Sequence, residues 1–262
     1  MKPPTVFLAE STNAEVEAFL EEHQTVIVPV GSTEQHGPHA PLGTDVLVPQ
    51  DVARRIAATV GALVAPPLPY ALSYPHDGFT GVVRLRIETF MAVIEDLCAA
   101  FAAMGFRRIV FLNGHYDNTY AIAYACASAS ERLPSAVRAF PVNYWDGLTP
   151  AEAAEYFDPS NGLHANRGET AAVLAIDPAL VDMDRANAEF PPFPPVTNPA
   201  AVHTAFFFSS PGSIRRATRS GTWGDAREAT PEFGERYLQV VASATIRVLD
   251  DIERTFAAMP AV

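Results

Sequence analysis

The sequence predicts an α/β fold, a three-layer αβα sandwich with a mostly parallel central sheet, and three observations predict it. Short apolar runs alternate along the chain with longer stretches of helical spacing. After Arg108 the run Ile109-Val110-Phe111-Leu112 is continuously apolar, as a strand buried on both faces requires. Polar clusters follow such runs directly, which is where open α/β sheets bind their ligands.

The elements follow in order. Val6-Phe7-Leu8 reads as a first strand and Val26–Val30 as a buried one. Val48, Val52, Ile56 and Val60 recur at helical spacing, with Pro49 expected in the first turn, where its missing N–H would lack a partner anyway, and Gly61 at the end. Ala62–Ala65 reads as a strand and 66–80 as a loop. A helix over 88–104 turns Phe90, Val93, Ile94, Leu97 and Phe101 inward and closes at Gly105. Arg108–Leu112 is a strand, 113–118 a turn, 120–132 a helix and 137–142 a strand. A polar stretch then leads to a helix over 169–176. Phe190–Pro195 can be neither helix interior nor central strand, because its prolines lack N–H donors; it is a stiff surface connection or an arm reaching a neighbouring subunit. Phe206-Phe207-Phe208 fits an intersubunit contact and a core equally well. Thr230–Phe256 is amphipathic, with Phe233, Tyr237, Val240, Val241 and Ile246 on the face expected to pack on the sheet.

Bulk properties narrow the function. The 262 residues suit one domain spanning 1–262. A net charge of −12 with no basic stripe excludes nucleic acid as a partner, and the acidity serves solubility. Cys98 and Cys126 sit in apolar surroundings and read as buried free thiols in a reducing compartment. No apolar run is long enough to span a bilayer, and no signal peptide is expected ahead of Val6, so the expected location is the cytoplasm with no membrane partner.

Three polar clusters carry the chemistry. Glu34 and His36 lie just past a strand with period-two spacing, so both can point the same way, and Asp45 completes a mixed O/N donor set suited to Zn, Mn or Fe. A Glu-x-His pair alone is also a common polar loop. His115 and Asp117 repeat the spacing after the next strand, although Asn113-Gly114 and Asp117-Asn118 are turn formers in their own right. In the third cluster, Glu169 opens a helix, where the dipole favours a carboxylate whatever its function, and His164 is an imidazole able to shuttle protons.

With these clusters in this order the chain resembles the creatininase (creatinine amidohydrolase) family. The resemblance rests on Val30–His39, Thr44-Asp45, Asn113–Asn118, Asn143–Asp146, His164–Thr170 and Gly221–Asp225, and covers nearly the whole chain. It implies a site with two divalent metal ions per subunit, Zn and/or Mn with Fe possible, in which Glu34 and His115 hold one ion, His36 and Asp117 the other, and Asp45 bridges both. It further implies His164 as catalytic acid/base, and Tyr116, Ser73 and Trp145 near the substrate; Glu169, from its own cluster, is a second catalytic candidate. A homo-oligomer, a hexamer by resemblance, is expected.

Two departures bear on specificity. The family enzyme that acts on creatinine has glutamate where Asp117 stands, and a tryptophan and aspartate where this chain has Ser160-Asn161-Gly162-Leu163. The reading is therefore a metal-dependent amidohydrolase that cleaves a C–N bond of a small cyclic amide or lactam with metal-activated water. The alternatives are a formamide hydrolase or a mycofactocin-precursor-type peptidase on the same metal core, and a metal-binding protein without catalysis.

Overall fold

A computed structural model describes residues 5–259 of the chain; the leader expectation at Met1–Pro4 lies outside them. Its centre is a parallel four-stranded sheet. Strand β1 (Thr25–Val30) pairs on one side with β2 (Ala62–Val64) and on the other with β3 (Arg108–Asn113), and β4 (Arg138–Asn143) pairs with β3, giving the order β2-β1-β3-β4. The register aligns Val30 with Asn113 and Asn113 with Asn143, so three strand ends finish level.

Strand periodicity sorts the core into two faces. Val26, Val28, Ile109 and Phe111 pack with Phe90, Ile94 and Cys98 of α3 (Ile87–Met104) and with Ile122 and Ala125 of α4 (Thr119–Ser130). Ile27, Val110, Leu112 and Val142 face Val48, Val52 and Ile56 of α2 (Thr44–Val60) and Tyr237, Leu238 and Val241 of α9 (Pro231–Ala258). Helices therefore cover both faces of the sheet, as the apolar runs predict. Cys98 and Cys126 are buried and free.

Several boundaries differ from the sequence reading. The opening strand is a single bridge from Phe7 to Val64, followed by a 3-10 turn at Leu8–Glu10. Helix α1 (Asn13–Glu22), closed by a Thr12–Glu15 capping box, occupies a stretch that reading passed over. Pro49 lies in the second turn of α2, not its first, because the helix already starts at Thr44. Its missing N–H removes the partner that the Asp45 carbonyl would have in a regular helix. Gly61 does end α2, in the left-handed conformation. The polar stretch after β4 holds α5 (Pro150–Tyr156) and β5 (Gly162–His164). Helix α6 (Arg167–Ile176) starts before Glu169 and is capped by Asn166, whose side chain accepts from the Glu169 N–H at 3.1 Å.

A second, antiparallel sheet orders β5, β7 (Trp223–Asp225) and β6 (Ala188–Glu189). Strands this short carry no readable alternation. Phe190–Pro195 is outside helix and strand as predicted, but Phe193 turns inward onto Trp223, with ring centroids 5.3 Å apart. Among the described residues no helix is long and apolar enough to cross a membrane.

The last helix holds α6 in place. Tyr237 and Val241 of α9 are buried, while Phe233, Val240 and Ile246 are half-buried. At Gly234 an added Cβ would fall 1.8 Å from the Ala171 carbonyl oxygen of α6, so the two helices touch backbone to backbone. Gly234→Ala is expected to cost about 1–3 kcal/mol by overpacking. Urea denaturation measures it, and an unchanged midpoint would show that the helices are not in that close contact.

Candidate metal centre

Every residue of the centre sits beyond the carboxyl ends of the parallel strands. The loop after β1 carries Glu34 and His36. The first turn of α2 carries Asp45, favoured there by the helix dipole. The turn after β3 carries His115, the 3-10 turn Tyr116–Asn118 adds Asp117, and β5 and α6 supply His164 and Glu169.

Asparagine side chains fasten these loops. Asn113 Nδ2 donates to the His115 carbonyl at 2.7 Å and to Asn143 Oδ1 at 2.8 Å, while its Oδ1 accepts from the His115 N–H at 3.1 Å. Asn118 Nδ2 donates to the Gly31 carbonyl at 3.0 Å, and its Oδ1 accepts from the Leu72 N–H at 3.2 Å. The ends of β1, β3 and β4 are thus tied to the loop bearing Ser73 and His76.

Three groups of donor atoms result, Glu34–Asp45–His115, His36–Asp45–Glu169 and Glu34–His36–His164, each close enough to hold one metal ion. Asp45 belongs to the first two. Its Oδ1 lies 3.1 Å from His36 Nε2 and its Oδ2 lies 2.9 Å from His115 Nδ1. His115 Nε2 is 3.3 Å from Glu34 Oε2 and 3.6 Å from Asp117 Oδ2. Yet His36 Nε2, Asp45 Oδ2, His115 Nε2, Asp117 Oδ2 and Glu169 Oε2 are all buried without a properly directed hydrogen bond. Buried polar atoms are rarely left so, and four of these side chains, His36, Asp45, His115 and Glu169, belong to the donor groups above, which fits divalent cations of the Zn or Mn type.

Electrostatics agree. Burial raises Glu34 to about 8 against the pull of His115. Burial would lower His36, but Asp45 overrides it and lifts the imidazole to about 9. Burial opposes ionisation of Asp45 too, yet the adjacent imidazoles of His36 and His115 hold its carboxyl far below the usual range. Glu169 is raised by burial. His164 is lowered to about 3, by burial and then by the charge of His36, and so is neutral at pH 7.

Glu169 is grouped with His36 and Asp45, while Asp117 Oδ2 lies 3.6 Å from His115 Nε2. Ser73 donates to Glu34 Oε2 at 2.9 Å and does not line the open cavity. His39 is outside all three groups, its Nε2 2.9 Å from Thr170 Oγ1. Sequence reasoning missed His76, whose Nε2 is 3.3 Å from Glu34 Oε1; a lone histidine in a loop has no spacing to mark it.

Above the centre opens a cavity of about 380 Å³. Tyr116, Tyr144, Trp145, Phe157 and Leu163 line it, together with His203, Thr204 and Phe207 of α7 (Pro199–Ser209) and Ile214 of α8 (Ser213–Ala217). Trp223 backs the α7 wall, with ring centroids 5.1 Å from His203 and 5.0 Å from Phe207. No lysine or arginine is among the described lining residues.

A parallel sheet covered by helices, with carboxylates and imidazoles gathered at its strand ends, defines the class as an α/β protein with a candidate metal centre. The Creatininase family model, described as creatinine amidohydrolase, matches residues 9–249. Creatinine amidohydrolase of Pseudomonas putida is 34% identical, over 90% of this chain and 93% of that protein. Mycofactocin precursor peptide peptidase of Mycobacterium tuberculosis is 28% identical, over 85% and 83%. Solved creatininases, among them a Mn form and a Zn–Zn form, align at TM-score 0.81 with 30% identity, covering 95% of this chain and 98% of theirs. The chain belongs to the creatininase family, hydrolases acting on carbon–nitrogen bonds.

Protons on Glu34 and His36 compete with a cation for the same lone pairs. Zn2+ affinity is therefore expected to rise with pH through about 8 and about 9, with protons released on binding. Calorimetry in two buffers of different ionisation enthalpy measures this; heats independent of buffer would contradict it.

Proposed function

We propose that the protein is a dinuclear metal amidohydrolase that opens the C–N bond of a small, uncharged cyclic amide. The observation that carries this reading is the sharing of Asp45 between two donor groups, Glu34–His115 on one side and His36–Glu169 on the other. When bound, the ions supply Lewis acidity, ionising the water nucleophile near neutral pH and polarising the amide carbonyl.

The chain's own residues do the rest. Tyr116, Trp145, Phe157 and Phe207 give a planar ring flat surfaces to lie against. A lining with several carboxylates and, among the described residues, no lysine or arginine disfavours phosphorylated or carboxylate-bearing substrates. His164, neutral at pH 7, takes the proton of the attacking water and returns it to the departing nitrogen. A formamide or a peptide terminus is the second reading, favoured by the small residues Ser160, Asn161 and Gly162 leading up to His164. Action as a homo-oligomer, a hexamer by family resemblance, and in the cytoplasm belongs to the same proposal.

Two experiments test it. Protein loaded with Zn2+ or Mn2+ is assayed on creatinine, other lactams, N-formyl compounds and peptides. Lactam turnover is expected; turnover of N-formyl compounds or peptides alone overturns the cyclic amide. His164→Ala is expected to keep its metal and lose about 10²–10⁴ in kcat, whereas a protein with no turnover in any form is a metal-binding protein only. Metal counting checks the grouping: Glu169→Gln is expected to lose one of two ions per subunit and Asp117→Ala to keep both. The opposite pattern would return Asp117 to the His36 side.

A further inference from the structure

Gln35, buried between Glu34 and His36, touches two histidines at once. A primary amide has one oxygen that accepts and two N–H hydrogens that donate. Its Oε1 accepts from the Gly37 N–H at 2.9 Å, which fixes which end is oxygen. The amide fits only because position 221 is glycine. There φ is +92° and an added Cβ would fall 1.9 Å from Gln35 Oε1.

Gln35 Nε2 has three neighbours for two hydrogens: His76 Nδ1 at 2.9 Å, His164 Nε2 at 3.0 Å and the Gly221 carbonyl at 3.1 Å. The backbone carbonyl of Gln35 decides among them. It lies 2.7 Å from His164 Nε2, and a carbonyl can only accept, so that nitrogen carries the hydrogen. A protonated ring nitrogen is no acceptor, so the amide hydrogens go to His76 Nδ1 and to Gly221. The neutral His76 ring then holds its hydrogen on Nε2, 3.3 Å from Glu34 Oε1. One arrangement satisfies every group.

We propose that Gln35 is a positioning residue that holds both His76 and His164 in the Nε2–H tautomer. Its backbone sets His164, leaving the Nδ1 lone pair on the side of Glu34, whose Oε1 is 3.8 Å away. Nδ1 is then the atom through which His164 exchanges protons. The side-chain amide sets His76, so that His76 presents a donor to Glu34 and steadies that carboxylate as a ligand, in the way outer hydrogen bonds orient metal ligands. The role given to His164 Nδ1 rests on the proton-transfer reading above; the tautomers themselves do not.

The test is two-bond 1H–15N correlation of the histidine rings in the full-length protein. Wild type is expected to show Nε2–H on His76 and His164. In Gln35→Glu a carboxylate faces His76 Nδ1 and can only accept, so His76 is expected to switch to Nδ1–H while His164 stays as it is. Zn2+ affinity at the Glu34 side is expected to fall about 10- to 100-fold, with kcat falling and KM nearly unchanged on any substrate turned over. Nδ1–H on either ring in wild type overturns the proposal without any variant. So does an unswitched His76 in a folded Gln35→Glu protein, or unchanged Zn2+ affinity. Full activity in His164→Ala would instead defeat the proton-transfer reading and leave the tautomers standing.

Discussion

The site depends on one constraint, the pinning of Asp45 between two strand ends. Its backbone carbonyl, freed by Pro49, lies so close to the turns after β1 and β3 that a Cβ at Gly31 or Gly114 would sit 2.4 or 2.5 Å from it. Two glycines therefore let the first turn of α2 drop into the crevice of the sheet. Only from there can one carboxylate reach His36 on one side and His115 on the other. An aspartate held away from the crevice would serve a single partner.

The layers around it fix that position. The level ends of β1, β3 and β4, tied through Asn113, Asn118 and Asn143, set the height of Glu34, His36 and His115. The backbone contact of α9 with α6 at Gly234 brings Glu169 in from the opposite side. Tyr144 and Tyr237 join the two parts, hydroxyl to hydroxyl at 3.2 Å beneath the cavity.

Much of this was legible in the sequence. The apolar runs 26–30 and 109–112 give the central strands because burial on both faces leaves no room for alternation. The x, x+2 spacing of Glu34/His36 and His115/Asp117 locates the strand-end clusters. What was not legible depends on distance in space. Glu169 read as a helix opener because a carboxylate in a first turn needs no ligand to explain it. Its partnership with His36 exists only once α6 is folded against α2. His76 lies in a proline-rich loop with no periodicity, and His203 and Phe207 join the cavity only because Trp223 and Phe193 stack behind them. The reaction is written in short motifs, while the pocket wall comes from residues scattered over the chain.

The proposed sharing of Asp45 by two ions is tested most directly by anomalous diffraction from crystals of the Zn2+-loaded protein. Two peaks about 3.5–4 Å apart, one beside Glu34 and His115, the other beside His36 and Glu169, with Asp45 between them, are the expected result. A single peak, or a second one away from Asp45, would contradict it.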